Sequence, residues 1–159
     1  MENKEFMVTD DLLASKGQRF LNFIIDLLIQ FIIVAIIRET IIIIADLTKS
    51  YSVSDWVESL NCMEKIIIGV VTMILYYSLT EIYFSRTFAK YFTKTIVIMG
   101  DGSKPYGKTI MKRTLCRLIP FEFLSFLGSN SRGWHDTISQ TYVVRKHEFN
   151  EKKGVVLFP

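Results

Sequence analysis

Two long apolar runs organise this chain of 159 residues. The first, Phe20 to Ala45, has only Asp26, Arg38 and Glu39 as ionisable side chains. Wound as a helix at 1.5 Å per residue, it reaches about 39 Å, more than a hydrocarbon core of about 30 Å. The second, Ile66 to Phe84, carries one charge, Glu81, and reaches about 28 Å as a helix. Both runs are apolar around most of the helix circumference. A soluble chain of this length has too little interior to bury two such helices on all sides. The pattern therefore predicts transmembrane helices at about 20–45 and 66–84. Ser15-Lys-Gly-Gln18 has the capping-box spacing and predicts that the first helix starts at Ser15. The residues before the first run mix Glu2, Glu5, Asp10 and Asp11 with Lys4, Lys16 and Arg19. That is not the basic leader of a cleaved signal peptide.

Lysine and arginine placement sets the expected topology. Asp46 to Glu64 holds four acids and one base, Lys49, whereas Ser85 to Arg117 holds eight bases and one acid, Asp101. The positive-inside rule puts the second stretch in the cytoplasm, the first outside, and both termini in the cytoplasm. Within the outer loop, 46–64, Val53, Trp56, Val57 and Leu60 recur at helical spacing, with Ser52 and Asp55 as a capping pair. A short surface helix and an ordinary loop both fit so brief a match.

A third apolar segment does not read as a span. From Thr109 to Ile119 the apolar positions Ile110, Met111, Leu115, Leu118 and Ile119 oppose Lys112, Arg113, Cys116 and Arg117. This is a helix-period amphipathic pattern with a basic face suited to the headgroup plane, and Lys112, Arg113 and Arg117 are expected to meet anionic lipid there. Pro120 interrupts it, and a span over Thr109–Gly128 would bury Lys112, Arg113, Arg117 and Glu122 at about 2.5–3.5 kcal/mol each. Two strand-like pieces frame the segment, Thr95–Met99 before the Asp101-Gly102 turn and Gln140–Val144 near the end, and are candidates to pair. The expected architecture is an all-α membrane protein. It has two transmembrane helices, an interfacial helix within a cytoplasmic segment 85–128, a short β-like pair, and a cytoplasmic tail 129–159, all in a single domain, 1–159.

The chemistry lies in a polar stripe on the first helix. Arg19 and Asp26 are seven residues apart, nearly two turns, and Asn22 and Gln30 extend the same line. Hydrocarbon disfavours such a stripe, so it faces protein or water. Asp26 lies about 9 Å into the helix from Phe20, and Glu81 lies three residues from the cytoplasmic end of the second helix. The two carboxylates fall in the same leaflet, with Arg19 at the mouth. Asp26 leans toward the helix N-terminus while Arg19 leans away, so a bridge through Asn22 or water is as open as a direct pair. Two helices cannot shield this stripe alone, which calls for a homo-oligomer or a lid from the amphipathic helix.

Composition narrows the function. Half the residues are hydrophobic, 22% are charged, and the net charge is +3. Disorder and a nucleic-acid tail do not fit that profile. The basic run Lys104 to Arg117 adjoins the bilayer and lacks a nucleic-acid fold, so it points to lipid. Cys62 and Cys116 are expected on opposite membrane sides and therefore unpaired. No Gly-rich phosphate loop, Ser–His arrangement or zinc spacing is present, so neither an enzyme nor a cofactor or metal is expected.

Several ordered pieces carry a family resemblance. Gly17-Gln-Arg19-Phe and Ile24-Ile-Asp26 lie on the first helix. Glu81 is followed by Thr87-Phe-Ala-Lys90, similar to a T-x-G-K stretch with Ala89 in place of glycine. Then come Asp101-Gly102, Ile119-Pro-Phe-Glu-Phe-Leu-Ser-Phe-Leu-Gly128, Gly133-Trp-His-Asp136 and Ser139-Gln-Thr-Tyr-Val-Val144. In this order they resemble the RDD family of bacterial membrane proteins, over roughly Ala14 to Val144. The resemblance implies two transmembrane regions, a bacterial inner-membrane location and transport of a small ion or ligand, Na⁺ or K⁺ against H⁺ among them. It also implies that Asp136 returns to the Arg19 end of the first helix, a role compatible with Asp136 as a helix N-cap. The candidate ion- or ligand-binding residues are then Arg19, Asn22, Asp26, Glu81 and Asp136. The competing reading is a non-transporting structural, assembly or lipid-binding protein, in which the same charges only fix helix packing.

Overall fold

The computed structural model describes residues 6–127 and 132–157. Gly128, the end of the Ile119–Gly128 stretch, lies outside the described residues. The protein is mostly helical, with one small antiparallel sheet. Helix α1 runs Lys16–Leu47 and α3 runs Cys62–Phe84. Among the described residues, these two are long and apolar enough to cross a membrane.

Both starts are fixed by reciprocal caps. The Ser15 backbone N–H donates to Gln18 Oε1 at 3.0 Å, and the Gln18 N–H donates to Ser15 Oγ at 3.2 Å. Asn61 and Glu64 repeat the device ahead of α3, at 2.8 and 3.0 Å. In each case two N–H groups that the helix leaves unbonded find side-chain acceptors.

The chain divides into two compact units, residues 27–76 and residues 1–26 with 77–159. The first of these holds the distal part of α1, helix α2 (Tyr51–Ser59) and the proximal part of α3. Helix α2 realises the helical spacing in the outer loop, but not the Ser52–Asp55 cap. It begins at Tyr51 with Ser50 at the cap position, so Ser52 already lies in the first turn. Lys49, at φ 56°, reverses the chain beforehand. Val57, Ser54 and Ala45 are buried, while Phe31, Ile36, Leu47 and Met63 are exposed.

The other unit is built on two paired strands, β1 (Thr95–Met99) and β2 (Thr141–Arg145), in the register Val97 opposite Val143. Strand β2 starts one residue later than its composition indicated, because Gln140 takes φ 53° and cannot extend the strand. Side chains alternate across the pair. On one face Ile98 and Val144 pack with Leu12 and Phe149, flanked by Phe6, Val8, Leu13, Ile96 and Tyr142. Phe149 belongs to helix α7 (Lys146–Leu157). On the other face Val97 and Val143 meet Ala14, and that face also presents Thr95 and Thr141. The Ala14 N–H donates to Val143 O at 2.9 Å, tying the entry of α1 to the strand edge.

Three further helices complete this unit: α4 (Phe88–Phe92), α5 (Gly107–Cys116) and α6 (Trp134–Ile138), with a 3-10 turn over Glu122–Leu127. Helix α5 lies in the expected amphipathic segment, but its two faces are divided otherwise than expected. Ile110, Arg113 and Thr114 are buried, while Met111 and Leu115 on the helix, and Leu118 and Ile119 beyond it, are exposed. Arg113 therefore cannot meet lipid headgroups. Arg117 is also turned inward, with a side chain 11% exposed. Of the three expected headgroup ligands only Lys112 is exposed. The reason is electrostatic: the interior of this unit holds carboxylates that require cations.

Candidate functional site

Each element delivers one or two charged groups to a common interior. Helix α1 brings Arg19, Asn22 and Asp26, all buried, on successive turns of one face. Helix α3 brings Glu81 from its last turn, and α4 brings Lys90. Helix α5 brings Arg113, and Arg117 follows at its C-cap, so the two lie on one face at i and i+4. Helix α6 brings His135 and Asp136.

Arg113 is the hub. Its Nη1 donates to Asp136 Oδ1 and, at 2.6 Å, to Thr141 Oγ1. Its Nε lies 3.0 Å from Glu81 Oε2, an ion-pair contact without hydrogen-bond alignment. Glu81 also receives Lys90 Nζ at 2.7 Å and Arg117 Nη2 at 3.5 Å. Arg19 donates through Nη1 to the second oxygen of Asp136. Asp136 thus bridges α1 to α5, and Arg113 bridges Asp136 to Glu81. Arg117 also stacks on Tyr77, with its guanidinium carbon 4.1 Å from the ring centroid.

Asp26 does not pair with Arg19. Its carboxylate accepts the Thr87 hydroxyl at 2.8 Å and the Ala89 N–H at 3.3 Å. Thr87 is the N-cap of α4, and its oxygen also accepts the Lys90 N–H at 3.4 Å. A single Thr-Phe-Ala-Lys turn therefore holds Asp26 with its first and third residues and Glu81 with its fourth. Asn22 is held by threonines: Thr93 donates to its Oδ1 at 2.7 Å, and its Nδ2 donates to Thr95 at 3.3 Å.

A second pair lies alongside. His135 Nδ1 contacts Glu122 Oε1, and His135 Nε2 is 3.4 Å from Asp136. Gly133 leaves room for this pair, since a Cβ there would sit 3.0 Å from both Glu122 Oε1 and the His135 ring. Burial and the nearby Arg117 outweigh the two carboxylates and push the imidazole down to about 4. His135 is therefore neutral at physiological pH. Burial alone would raise the Asp136 carboxyl, but Arg113, His135 and Arg19 hold it well below the usual range. Burial likewise opposes ionisation of Glu122, yet His135 and Arg117 keep it below its ordinary value. Lys90 is lowered by burial against the pull of Glu81. The cluster is balanced: the carboxylates of Asp26, Glu81, Glu122 and Asp136 face the cations of Arg19, Lys90, Arg113 and Arg117.

Within it lies a cavity of about 30 Å³, lined by Arg19, Asn22, Asp26, Lys90, Arg113 and Arg117, with Tyr77, Glu122 and His135 among the remaining wall residues. One water needs about 10–15 Å³, so the space holds two or three water-sized particles. Glu81 and Asp136 do not line it. Among the described residues no group of three or more histidine, cysteine or carboxylate side chains is arranged to hold a metal ion.

Of the residues expected from sequence, Arg19 and Asp136 meet directly, Asn22 and Asp26 line the cavity, and Glu81 stands behind it. Asp136 is not an N-cap. Gly133 holds that position, and Asp136 sits inside α6. Sequence reading missed Arg113, Arg117, Lys90, Thr87, Glu122 and His135 as members of the cluster. Charge balance was the available signal. Three buried carboxylates with one arginine leave two negative charges uncompensated, and Arg113 with Arg117 is an i, i+4 cationic pair in reach.

Comparison with known proteins gives one finding. The family model described as the RDD family matches residues 13–140, a span that contains every member of the cluster. No curated protein and no solved structure matches the chain.

Proposed function

The chain belongs to the RDD family, and from that premise we propose that it is a membrane protein whose buried charge cluster handles a small ion or ligand. Helices α1 and α3 cross the bilayer, with both termini in the cytoplasm. Support comes from their surfaces: only 11% and 22% of their most apolar windows are buried within the chain. The core helix of a soluble protein would be mostly covered. Helix α5 lies at the cytoplasmic headgroup plane, presenting Met111 and Leu115 to acyl chains and Lys108 and Lys112 to anionic headgroups. The observation that carries the functional reading is Asp26. It is a buried carboxylate on a lipid-crossing helix, held by a hydroxyl and an amide, beside a cavity of ionic size.

Exchange of Na⁺ or K⁺ against H⁺ is the form the family resemblance implies. Asp26 is the principal carboxylate, and Glu81 and Asp136 set the field around it. The test is flux through the purified chain in proteoliposomes, with Na⁺, K⁺ or Cl⁻ gradients and a lumenal pH dye. The wild type moves protons under one of these gradients, and Asp26→Asn folds normally yet loses at least tenfold of the flux. A second reading rests on the matched charges, four against four. A cluster with no net charge also suits a protein in which these residues only lock helices together. Absence of flux under every gradient, with Asp26→Asn altering stability alone, decides for that reading.

A further inference from the structure

We propose that residues 107–124 form a re-entrant wedge whose tip, Leu118 to Leu124, is covered by the acyl chains of the cytoplasmic leaflet. The inference rests on the reading that α3 crosses the bilayer, and it deepens the place given to α5: the helix starts at the headgroups and descends from them. Contacts with α3 give the depth. Lys104 Nζ, ahead of α5, donates to Tyr83 O at 3.1 Å, next to the cytoplasmic end of α3 at Phe84. Within α5, Met111 Sδ accepts the Ser78 hydroxyl at 3.2 Å, and at the C-cap Arg117 stacks on Tyr77. From Lys104 to Arg117 the chain therefore passes from the level of Tyr83 to that of Tyr77, about 9 Å deeper at 1.5 Å per residue. It then returns, because Asp136 of α6 meets Arg19 in the first turn of α1.

The surface changes along this descent. Lys108 and Lys112 are exposed on α5, and Lys112 is long enough to snorkel back to the headgroups. Between Arg113 and Arg132 the ionisable residues are Arg117 and Glu122, and both turn inward, Arg117 to Glu81 and Glu122 to His135. Among the described residues of that stretch, the exposed side chains up to Leu124 are Leu115, Leu118, Ile119, Pro120, Phe121 and Leu124. A turn facing water or headgroups would present polar groups, and this one presents hydrocarbon. The backbone permits insertion. The N–H groups of Arg117, Leu118, Ile119, Glu122 and Leu124 each donate to the carbonyl three residues back, at 2.9–3.2 Å, and Pro120 has none to satisfy. Phe121 holds φ 63°, a backbone that bulky side chains avoid, with its ring exposed. In water that strain brings no return, whereas in acyl chains the ring is buried. Leu79, beside the Ser78–Met111 contact, is exposed as well, so the lipid around α3 meets α5 at this seam.

The test places nitroxides on the full chain in nanodiscs of phosphatidylcholine and phosphatidylglycerol. In a background of Cys62→Ser and Cys116→Ser, labels are introduced in turn through Leu118→Cys, Phe121→Cys and Leu124→Cys. Lys108→Cys and Leu79→Cys serve as references for the headgroup and acyl levels. Collision with oxygen, which dissolves in acyl chains, is compared with collision with a water-soluble nickel chelate. The three tip positions are expected to match Leu79 in the oxygen-to-nickel ratio and to exceed Lys108 several-fold. The unsubstituted chain supplies a second readout: residues 118–132 form one tryptic peptide, expected to be labelled by a phospholipid carrying a diazirine in mid-chain. Nickel access at the tip beside an oxygen-rich Leu79 overturns the wedge and leaves the crossing of α3 intact. Nickel access at Leu79 sinks both. Tip positions shielded from both reagents, with no diazirine label in the peptide, assign this face to a second copy of the chain or another protein and overturn the proposal as well.

Discussion

Arg113 touches two carboxylates from different helices, and its position explains why single charges here cannot be removed without consequence. Arg113→Met leaves Glu81 and Asp136 each one partner short inside a low-dielectric interior. Loss of one member of a buried ion network costs about 3–5 kcal/mol. Chemical unfolding in detergent checks this, and Asp136→Asn added to Arg113→Met is expected to recover part of the loss. Thr87→Val makes a smaller cut. It deletes the hydroxyl that donates to Asp26 and caps α4, at an expected cost of about 1–3 kcal/mol. Asp26 and Glu81 were legible before the structure because an acid inside an apolar run calls for a partner, and Arg19 because it shares the stripe of Asp26. Asp136 came from the family resemblance alone, Glu122 was missed, and so were the other cations. A lysine or arginine beside a bilayer has an ordinary destination at the headgroups, and only counting charges across the whole chain redirects Arg113 and Arg117 inward.

Local chemistry fixed the element boundaries most firmly where side chains cap. Ser15-Lys-Gly-Gln18 specifies both donors and both acceptors of the α1 start, and the geometry follows the spacing. Ser15→Ala is expected to cost about 1 kcal/mol. Thermal unfolding against wild type measures it, and an unchanged midpoint means the first turn is held by the Ala14–Val143 bond instead. Where no cap exists, boundaries drifted. Helix α2 starts before Ser52, and β2 starts after Gln140, whose left-handed backbone no composition rule signals. Helix α5 shows a deeper limit. Its period was readable, but period alone does not say which face is inside. An apolar face seeks the protein interior in water and the acyl chains in a membrane, and here Arg113 and Arg117 turned inward, with Ile110, because their partners were there.

For the molecule as a whole, acid sensitivity should track His135. In the folded state the imidazole titrates near 4, against 6.5 for an unburied histidine. Between those values the unfolded chain binds a proton that the folded chain refuses, so stability falls as pH drops from about 6.5 to about 4, by about 3 kcal/mol in all. Asp136 and Glu122 are depressed carboxyls, and their contribution begins to be lost as pH falls below the ordinary values of 3.8 and 4.5. His135→Asn is expected to flatten the thermal midpoint between pH 6.5 and 4.5; a variant with the wild-type slope assigns the effect elsewhere. Topology has its own check. Cys62 and Cys116 are free thiols. In spheroplasts a membrane-impermeant maleimide is expected to label Cys62 at once and Cys116 only after permeabilisation.

The Arg19–Asp136 bridge joins residues 117 apart in sequence. Ribosomes therefore deliver this guanidinium long before its counter-ion. Until Asp136 is made, the Arg19 guanidinium lacks the carboxylate that it meets in the finished chain. A product cut short by premature termination keeps that imbalance permanently. The last tenth or so of the α1-to-α6 stretch thus closes the charge balance at the entry of the very first long helix.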